Sequence, residues 1–148
     1  MSIYKIFITG ANWFIWSHLL ERLLQDEKNQ VTILLRANSD TSRISNFLWN
    51  KNLTQIDIAW LETYFQENPP HIVLHLATCY KKFHSASDIE EMISSNITFP
   101  TQLAQLCITH KVNYFINTWS FFEYDFSDIP LRETSQEKAF NLYASTKL

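Results

Sequence analysis

The single glycine of this chain, Gly10, ends an apolar stretch, and its position constrains the fold more than any other feature. Residues Ile3–Ile8 predict a buried strand that runs into Thr9 and Gly10. An amphipathic helix is predicted over Phe14–Gln25, because its apolar residues recur on one face. A strand, a tight turn and a helix in this order predict the first βα unit of an α/β fold.

The alternation of strand and helix continues to the end of the chain. It predicts strands at 31–35, 54–58, 72–76 and 112–117. Helices are predicted at 59–66, within 87–110 and from 140, with a boundary in the second of these near Asn96 or Pro100. Loops are predicted at 37–53 and 127–138. Continuous apolar strands separated by helices indicate a parallel sheet covered on both faces. We therefore predict one α/β domain over residues 1–148, with a doubly wound parallel sheet that stops after the fifth strand and the start of the next helix.

Composition and charge exclude several classes of function. The net charge is -3 without a basic run, which argues against nucleic acid as a partner. No apolar run is long enough to predict a membrane span, and the chain enters its first strand without a signal peptide. Cys79 and Cys107 lie in apolar segments, so we expect reduced, buried thiols in a cytoplasmic protein. No Cys/His spacing indicates a metal site.

Glycine is scarce where the fold should need it. Average usage predicts roughly ten glycines at this length, whereas the chain has 1 glycine and 5 tryptophans. The first turn has the spacing of the dinucleotide-binding motif G-x-x-G-x-x-G, with Trp13 and Trp16 in its second and third places. Glycines stand there because the backbone bends tightly, approaches a pyrophosphate and packs a helix on a strand. The alternative interpretation is an ordinary βα turn with exposed aromatic side chains.

Two further motifs carry residue types suited to catalysis. Tyr143 and Lys147 are four residues apart and so share a helix face. An ammonium beside a phenol favours the phenolate and makes a general acid/base. Ser120 follows the fifth strand, at the sheet edge where sites form, and its hydroxyl could hydrogen-bond a substrate oxygen. Taken singly, the first motif also fits a solvated helix face, and Ser120 also fits a strand-end cap.

In order and spacing, these motifs resemble the extended short-chain dehydrogenase/reductases, the sugar-nucleotide epimerase/dehydratase family. The resemblance covers essentially the whole chain and implies a Rossmann-type fold. Beyond the first turn it is carried by Asp57 and Ile58, His75–Thr78, Asn96, Ser120, 130–134, Tyr143 and Lys147.

The resemblance implies a role for each of these residues. Tyr143 would be the acid/base, Lys147 would hold the nicotinamide ribose, and Ser120 would orient the sugar oxygen. Phe14 and Ile15 would present backbone N–H groups to the pyrophosphate. The implied catalytic residues are thus Ser120, Tyr143 and Lys147, and the implied cofactor-binding residues are Gly10, Asn12, Trp13, Phe14, Ile15, Arg36, Asp57, Ile58, Leu76, Ala77, Thr78, Asn96, Tyr143 and Lys147.

The end of the second strand bears on the choice between NAD and NADP. An acidic residue there binds the ribose 2′-hydroxyl of NAD, whereas an arginine suits the 2′-phosphate of NADP. This chain has Arg36, followed by Ser39, and no acidic residue until Asp40. The pattern favours NADP over NAD; the alternative is an exposed arginine at a strand end.

The tryptophans share a placement. Trp119, beside Ser120, also stands where the family has a small residue, and Trp49 lies in a turn-like stretch. We hypothesise that the gene uses UGA as a glycine codon and that the written sequence reads it as tryptophan. A degenerate homologue or deliberate substitution are the alternatives. As written, the chain is expected to keep the α/β fold, to hold the first helix off its strand through Trp16, and not to bind dinucleotide.

We expect an NAD(P)-dependent oxidoreductase or epimerase that acts on a nucleotide-linked sugar, by 4-keto reduction or 4-epimerisation. Phe121 and Phe122 stand where dehydratases carry an Asp-Glu pair, which argues against dehydration. The segments His75–Cys79 and Phe121–Tyr124 most resemble those of CDP-deoxyhexose synthases, which reduce a 4-keto sugar. Because the chain ends at Leu148, we expect the substrate lobe to be absent, the fragment to be inactive alone with an unpaired sheet edge, and the full-length protein to be a homodimer. The alternative is a non-catalytic Rossmann-fold binding or regulatory protein that has lost its cofactor site.

Overall fold

A computed structural model of the chain describes residues 3–125 and 129–148. The chain divides into two compact units. The first comprises Met1–Ala77 and Leu103–Asn117, and the second comprises Thr78–Gln102 and Thr118–Leu148. In the part of the chain that is described, no helix is both long enough and apolar enough to cross a bilayer.

The first unit is built on a five-stranded sheet. Its strands are β1 (Tyr4–Thr9), β2 (Asn29–Leu34), β3 (Leu53–Ile56), β4 (Ile72–His75) and β5 (Tyr114–Asn117). All four pairings are parallel, and the spatial order is β3-β2-β1-β4-β5. The strand order changes direction between β1 and β4, which is the arrangement of a doubly wound sheet. The predicted α/β fold class is confirmed.

The helices are α1 (Phe14–Leu24), α2 (Leu61–Glu67), α3 (Ile89–Ile93), α4 (Phe99–Thr109) and α5 (Leu142–Ser145). Alternate residues of β1 face opposite sides of the sheet. Ile6 and Ile8 join one hydrophobic cluster with Leu20 of α1, whereas the ring of Phe7 lies 5.4 Å from that of Phe65 in α2. The helices therefore bury both faces of β1, which explains its continuous apolar sequence.

The second unit contains short helical segments and a long connection. A π-helical turn, Ser94–Thr98, separates α3 from α4 and contains Asn96, so the boundary predicted inside this helix lies at that residue. A 3₁₀ turn, Phe121–Glu123, follows Ser120. An isolated antiparallel bridge then joins Tyr124 to Glu137. Of the loop predicted at 127–138, residues 127 and 128 lie outside the described ranges.

Most predicted element ends differ from the observed ones by one to three residues, and two further differences have a local physical reason. The polar segment predicted as a loop at 37–53 contains a 3₁₀ turn, Ser42–Phe47, in which Ile44 is fully buried. Ile44, Phe47 and Leu48 recur at helical spacing, but over so few residues this spacing does not distinguish a short helical turn from a loop. The last helix begins at Leu142 rather than at Phe140, because Asn141 is extended and its side-chain oxygen accepts a hydrogen bond from the N–H of Ala144.

Candidate functional site

The turn after β1 is closed by a glycine that nothing else could replace. Gly10 has φ +76°, in the left-handed region that favours glycine. A Cβ built on it would lie 2.7 Å from the backbone nitrogen of Ala77 and 2.8 Å from its Cα. Both the backbone conformation and the close approach of the chain after β4 therefore require glycine at this position.

The hydroxyl of Thr9 ties the same turn to the end of β4. Its Oγ1 lies 2.8 Å from Nδ1 of His75 and accepts hydrogen bonds from the N–H groups of Leu76 and Ala77. Thr9 and His75 are both almost completely buried. The sequence places Thr9 in the turn motif, but it gives no sign of this link, because the partners come from another strand.

Trp13 occupies the N-cap of α1 without straining the backbone. Its φ of −81° and ψ of 162° are extended, and no side chain caps the helix at this end. The indole is half exposed, as are the side chains of Phe14 and Ile15 that begin the helix. A glycine at position 13 is therefore not needed for the fold. Its use there would be to leave room for a group bound at the helix N-terminus.

Trp16 packs at the margin of the core instead of separating helix and sheet. We expected its bulk to hold α1 off the strand, and this expectation is wrong. Trp16 is partly buried against the cluster that contains Ile6 and Ile8, while Ser17, Leu20 and Leu24 of α1 remain buried. Because one edge of the indole stays outside the core, its volume does not have to be accommodated inside it.

The loop after β2 contains the residues considered for the choice of cofactor. Arg36 is exposed, and its backbone N–H donates to Oγ of Ser39 at 3.0 Å. The side-chain amide of Asn12 donates to the carbonyl oxygen of Asp40 at 2.9 Å, so the first turn and this loop are joined. The guanidinium of Arg43 lies over the ring of Phe14, 5.5 Å from its centroid.

The remaining cofactor-side residues of the first unit follow β3 and β4. Asp57 caps a 3₁₀ turn, Ile58–Trp60, through its Oδ1, which accepts from the N–H of Ala59 at 3.0 Å. Ile58 is half exposed, while Leu76 is buried. The backbone of Ala77 lies close to Gly10, so the ends of β1 and β4 are brought together.

In the second unit, Tyr143 and Lys147 lie on and just after α5, and both side chains are buried. The ring of Tyr143 meets the ring of Tyr80 edge-on at 4.8 Å between centroids. The ammonium of Lys147 donates to the carbonyl oxygen of Thr118 at 3.5 Å. Burial lowers the pKa of Lys147, and the nearby carboxylate of Glu123 acts in the opposite direction.

Asn96 is a buried hub that joins three parts of the second unit. Its Oδ1 accepts from the N–H of Cys79 at 2.7 Å and from the hydroxyl of Thr78 at 3.1 Å. Its amide nitrogen donates to the carbonyl oxygen of Cys79 and to Oγ1 of Thr146, both at 3.0 Å. Thr146 lies between Tyr143 and Lys147 in sequence, so Asn96 fixes the segment that carries the pair.

Ser120 is half-buried and caps the 3₁₀ turn that follows it. Its Oγ accepts from the N–H of Phe122 at 3.3 Å, which leaves the hydroxyl proton free to be donated elsewhere. The neighbouring Trp119 is exposed, and Trp49 and Trp60 are more exposed still. None of these three needs a left-handed backbone, since Lys111 is the one non-glycine residue with positive φ in the described ranges.

Glu123 is a residue that the sequence analysis did not single out. It ends the same 3₁₀ turn, is 5% exposed, and has a buried Oε2 with no hydrogen-bond partner within residues 3–125 and 129–148. Burial and the nearby Glu137 raise the pKa of its carboxyl, and Lys147 opposes this shift.

Comparison with known proteins places these residues in a family. The model of the NAD dependent epimerase/dehydratase family matches residues 6–148. CDP-abequose synthase of Salmonella muenchen is 31% identical over 119 residues, which cover 80% of this chain and 38% of that protein. UDP-glucose 4-epimerase of Caenorhabditis elegans is 29% identical over 160 residues, which cover 96% of this chain and 46% of that protein.

Solved structures agree with the sequence comparisons. UDP-glucuronic acid 4-epimerase from Bacillus cereus, in complex with UDP-glucuronic acid and NAD, is similar with a TM-score of 0.86 and 25% identity. The similarity covers 97% of this chain and 48% of that one. The chain therefore spans less than half the length of the relatives it matches.

Proposed function

The chain belongs to the NAD dependent epimerase/dehydratase family, and we propose that it carries the dinucleotide-binding and proton-transfer residues of an enzyme that acts on a nucleotide-linked sugar. The observation that carries the proposal is the burial of both Tyr143 and Lys147, in the unit that also contains Ser120. We assign the whole of residues 1–148 to the NAD(P)-binding domain of that enzyme.

The residues of the second unit suit the movement of one proton at a sugar oxygen. Tyr143 would take the proton from a sugar hydroxyl or return it to a carbonyl oxygen, and Ser120 would donate a hydrogen bond to the same oxygen. Lys147 would hold the nicotinamide ribose, as the family resemblance implies. A nicotinamide dinucleotide, when bound, supplies the acceptor or donor of hydride.

The first turn fits this cofactor only in part. Gly10 and the start of α1 offer the close backbone approach and the N–H groups that bind a pyrophosphate. Trp13 is the N-cap residue at that same helix end, and its indole would compete with a phosphate for this space. We propose that residues 13, 16 and 119 of the native polypeptide are glycines, read as tryptophan from UGA codons.

The proposed reaction is 4-keto reduction or 4-epimerisation, and not dehydration. Phe121 and Phe122 follow Ser120 directly, and their rings lie 4.3 Å apart between centroids. These are the two positions at which the family resemblance places the Asp-Glu pair of dehydratases, and neither is a carboxylate here. For the cofactor we propose NADP, because the exposed Arg36 follows β2 where a 2′-phosphate would be bound.

Titration with NADPH and NADH tests the proposal. The chain as written is expected not to bind either, and W13G/W16G is expected to bind NADPH more tightly than NADH. The matched control is W49G, which removes an exposed tryptophan far along the first unit and should leave binding absent. A folded W13G/W16G variant that binds neither dinucleotide would show that the proposed cofactor function is wrong.

The second candidate is a non-catalytic binding or regulatory protein that retains the fold. It is favoured by the unstrained backbone at Trp13 and by the edge position of Trp16 in the core. Tandem mass spectrometry of the native peptide over residues 6–21 separates the two candidates. Glycine at 13 and 16 supports the enzyme, and tryptophan at both supports the binding protein.

For the full-length protein we propose a homodimer. In the second unit, Ile89, Ile93 and Ile97 recur at helical spacing, and each is more than a third exposed. Apolar side chains in one row on a helix suit a contact with a second copy. Sedimentation of the full-length protein as a monomer would contradict this.

A further inference from the structure

The hydrogen bond between Thr9 and His75 joins the ends of β1 and β4, and the other partners of Thr9 decide its direction. Oγ1 of Thr9 lies 2.8 Å from Nδ1 of His75. The N–H of Ala77 donates to the same oxygen at 3.2 Å, and the N–H of Leu76 donates to it at 3.3 Å. The N–H of Leu76 is shared, because it also donates to the carbonyl oxygen of Thr9 at 3.2 Å.

The hydroxyl of Thr9 has one proton to donate, and the structure offers one acceptor for it. Thr9 is 1% exposed, so bulk water does not reach the hydroxyl. Within residues 3–125 and 129–148, its other two hydrogen-bond partners are N–H donors, whereas Nδ1 of His75 can accept. A buried hydroxyl that donates to nothing is costly. The proton of Thr9 is therefore donated to Nδ1 of His75.

This direction fixes the state of the imidazole ring. A ring nitrogen that accepts a hydrogen bond carries no proton, so the proton of the neutral His75 ring lies on Nε2. A charged imidazole donates at both nitrogens and would leave the hydroxyl of Thr9 without an acceptor. The neutral tautomer with its proton on Nδ1 would do the same. It would also bring a third donor to an oxygen that has two lone pairs.

The tautomer matters for the segment that follows β4. With its proton directed at His75, Oγ1 of Thr9 keeps its lone pairs for the N–H groups of Leu76 and Ala77. A Cβ at Gly10 would lie 2.7 Å from the nitrogen of Ala77, so this backbone closes the turn after β1. The imidazole of His75 thus acts on the turn at Gly10 through the hydroxyl of Thr9.

We propose that His75 is a positioning residue for the turn at Gly10, held as the neutral Nε2–H tautomer so that Thr9 fixes the backbone of Ala77. The part of this inference that concerns a cofactor rests on the proposed function, which assigns the turn to a pyrophosphate. The tautomer and the hydrogen bonds are properties of the chain without cofactor. They can therefore be tested apart from dinucleotide binding.

The first test is the ¹⁵N NMR spectrum of the imidazole rings, recorded slightly above neutral pH on the chain labelled with ¹⁵N-histidine. Protonated and unprotonated ring nitrogens have well-separated chemical shifts, so the spectrum reports the tautomer. We expect an unprotonated Nδ1 and a protonated Nε2 at His75. His71 is the internal reference, because its Nδ1 accepts from the N–H of Lys5 at 3.0 Å. A protonated Nδ1 at His75, in a neutral or a charged ring, overturns the proposal.

The second test separates positioning from packing by amide hydrogen exchange, followed residue by residue. His75→Asn keeps an acceptor, since its amide oxygen is as many bonds from the backbone as Nδ1 is, and it also assigns the His75 signals by removing them. His75→Leu fills the site without an acceptor. In His75→Leu the amide of Ala77 should exchange about tenfold faster relative to the amides of β2 than in the parent chain. His75→Asn should keep most of this protection.

Two results of the exchange experiment would overturn the proposal. Equal acceleration at Ala77 and in β2 would mean that His75 stabilises the sheet by packing alone. Equal relative rates at Ala77 in the two variants would mean that the acceptor at Nδ1 is not what matters.

Variants of Thr9 cover the case in which the His75 variants do not fold. Thr9→Val removes the hydroxyl with little change of shape, and it should lose both the fixed tautomer at His75 and the protection at Ala77. Thr9→Ser retains the hydroxyl and should keep both. Identical spectra and exchange rates in the two variants would overturn the proposal. None of these measurements uses NADPH, so failure of the proposed cofactor function is recognised separately.

Discussion

The turn at Gly10 and the cluster around Tyr143 differ in what holds them together. The turn is made by the backbone, and its required feature is an absent side chain at Gly10. The cluster is made by side chains: Tyr143, Lys147 and Asn96 are all buried. The turn accepts an indole three residues after its glycine, whereas Asn96 cannot be replaced by an apolar residue without the loss of hydrogen bonds in the cluster.

The difference separates two reasons for glycine in one motif. Gly10 serves the fold, because a Cβ there would collide with the backbone of Ala77. Position 13 serves a ligand, because its backbone is extended and its side chain reaches solvent. A chain can lose the second kind of glycine and keep its sheet order. Similarity of fold alone is therefore not evidence that a chain binds the cofactor.

The largest loss of stability is expected from a substitution at Gly10, which tests the distinction between the turn and the cluster most directly. Gly10→Ala adds a methyl group against Ala77 and forces a positive φ on alanine. Strain and overpacking together should cost about 3 kcal/mol or more in the free energy of unfolding. The measurement is urea unfolding. Trp13→Ala is the matched control from the same turn and should stay within about 0.5 kcal/mol; equal losses would refute the distinction.

A smaller loss is expected when the hub of the cluster is removed. Asn96→Ala removes the hydrogen bonds that Asn96 makes with the N–H and carbonyl groups of Cys79 and with the hydroxyl of Thr146. Unsatisfied buried polar groups cost about 1–3 kcal/mol, so the unfolding midpoint in urea should fall. Asn38→Ala, at an exposed position, should change it little. If both variants unfold alike, the cluster does not depend on its side chains as described.

The sequence predicted the parts of the fold that depend on local pattern. The strand and helix around Gly10 and the parallel sheet follow from periodicity and spacing. The sequence could not predict that the side chain of Asn96 hydrogen-bonds Thr78, Cys79 and Thr146, because these partners are distant in sequence. Nor could it predict a buried Glu123. An isolated glutamate after two phenylalanines gives no signal of burial until the chain beyond it folds back.

The smallest effect is expected at a carboxylate whose surroundings are the reverse of those of Glu123. Asp88 precedes α3 and accepts hydrogen bonds from the N–H and hydroxyl of Ser85 and from the ammonium of Lys81. The backbone N–H of Ser85, followed by Lys81, holds its pKa well below the usual range. The folded-state pKa is lower than the unfolded one, so the charged carboxylate stabilises the fold at neutral pH. That contribution is lost as the pH falls below about 3.9.

Asp88→Asn should therefore be less stable than the parent chain at neutral pH, and this difference in stability should disappear on acidification. At Glu123 the sign is opposite, because burial raises the pKa of that carboxyl and favours its protonated form in the folded state. Protonation on acidification therefore stabilises the parent chain but not Glu123→Gln, so the stability of Glu123→Gln relative to the parent chain should be highest at neutral pH and fall as the pH is lowered. Thermal unfolding of both variants across pH measures this, with Glu90→Gln as the exposed control on α3. A gap for Asp88→Asn that does not change with pH would mean that hydrogen-bond geometry, and not charge, stabilises the start of α3.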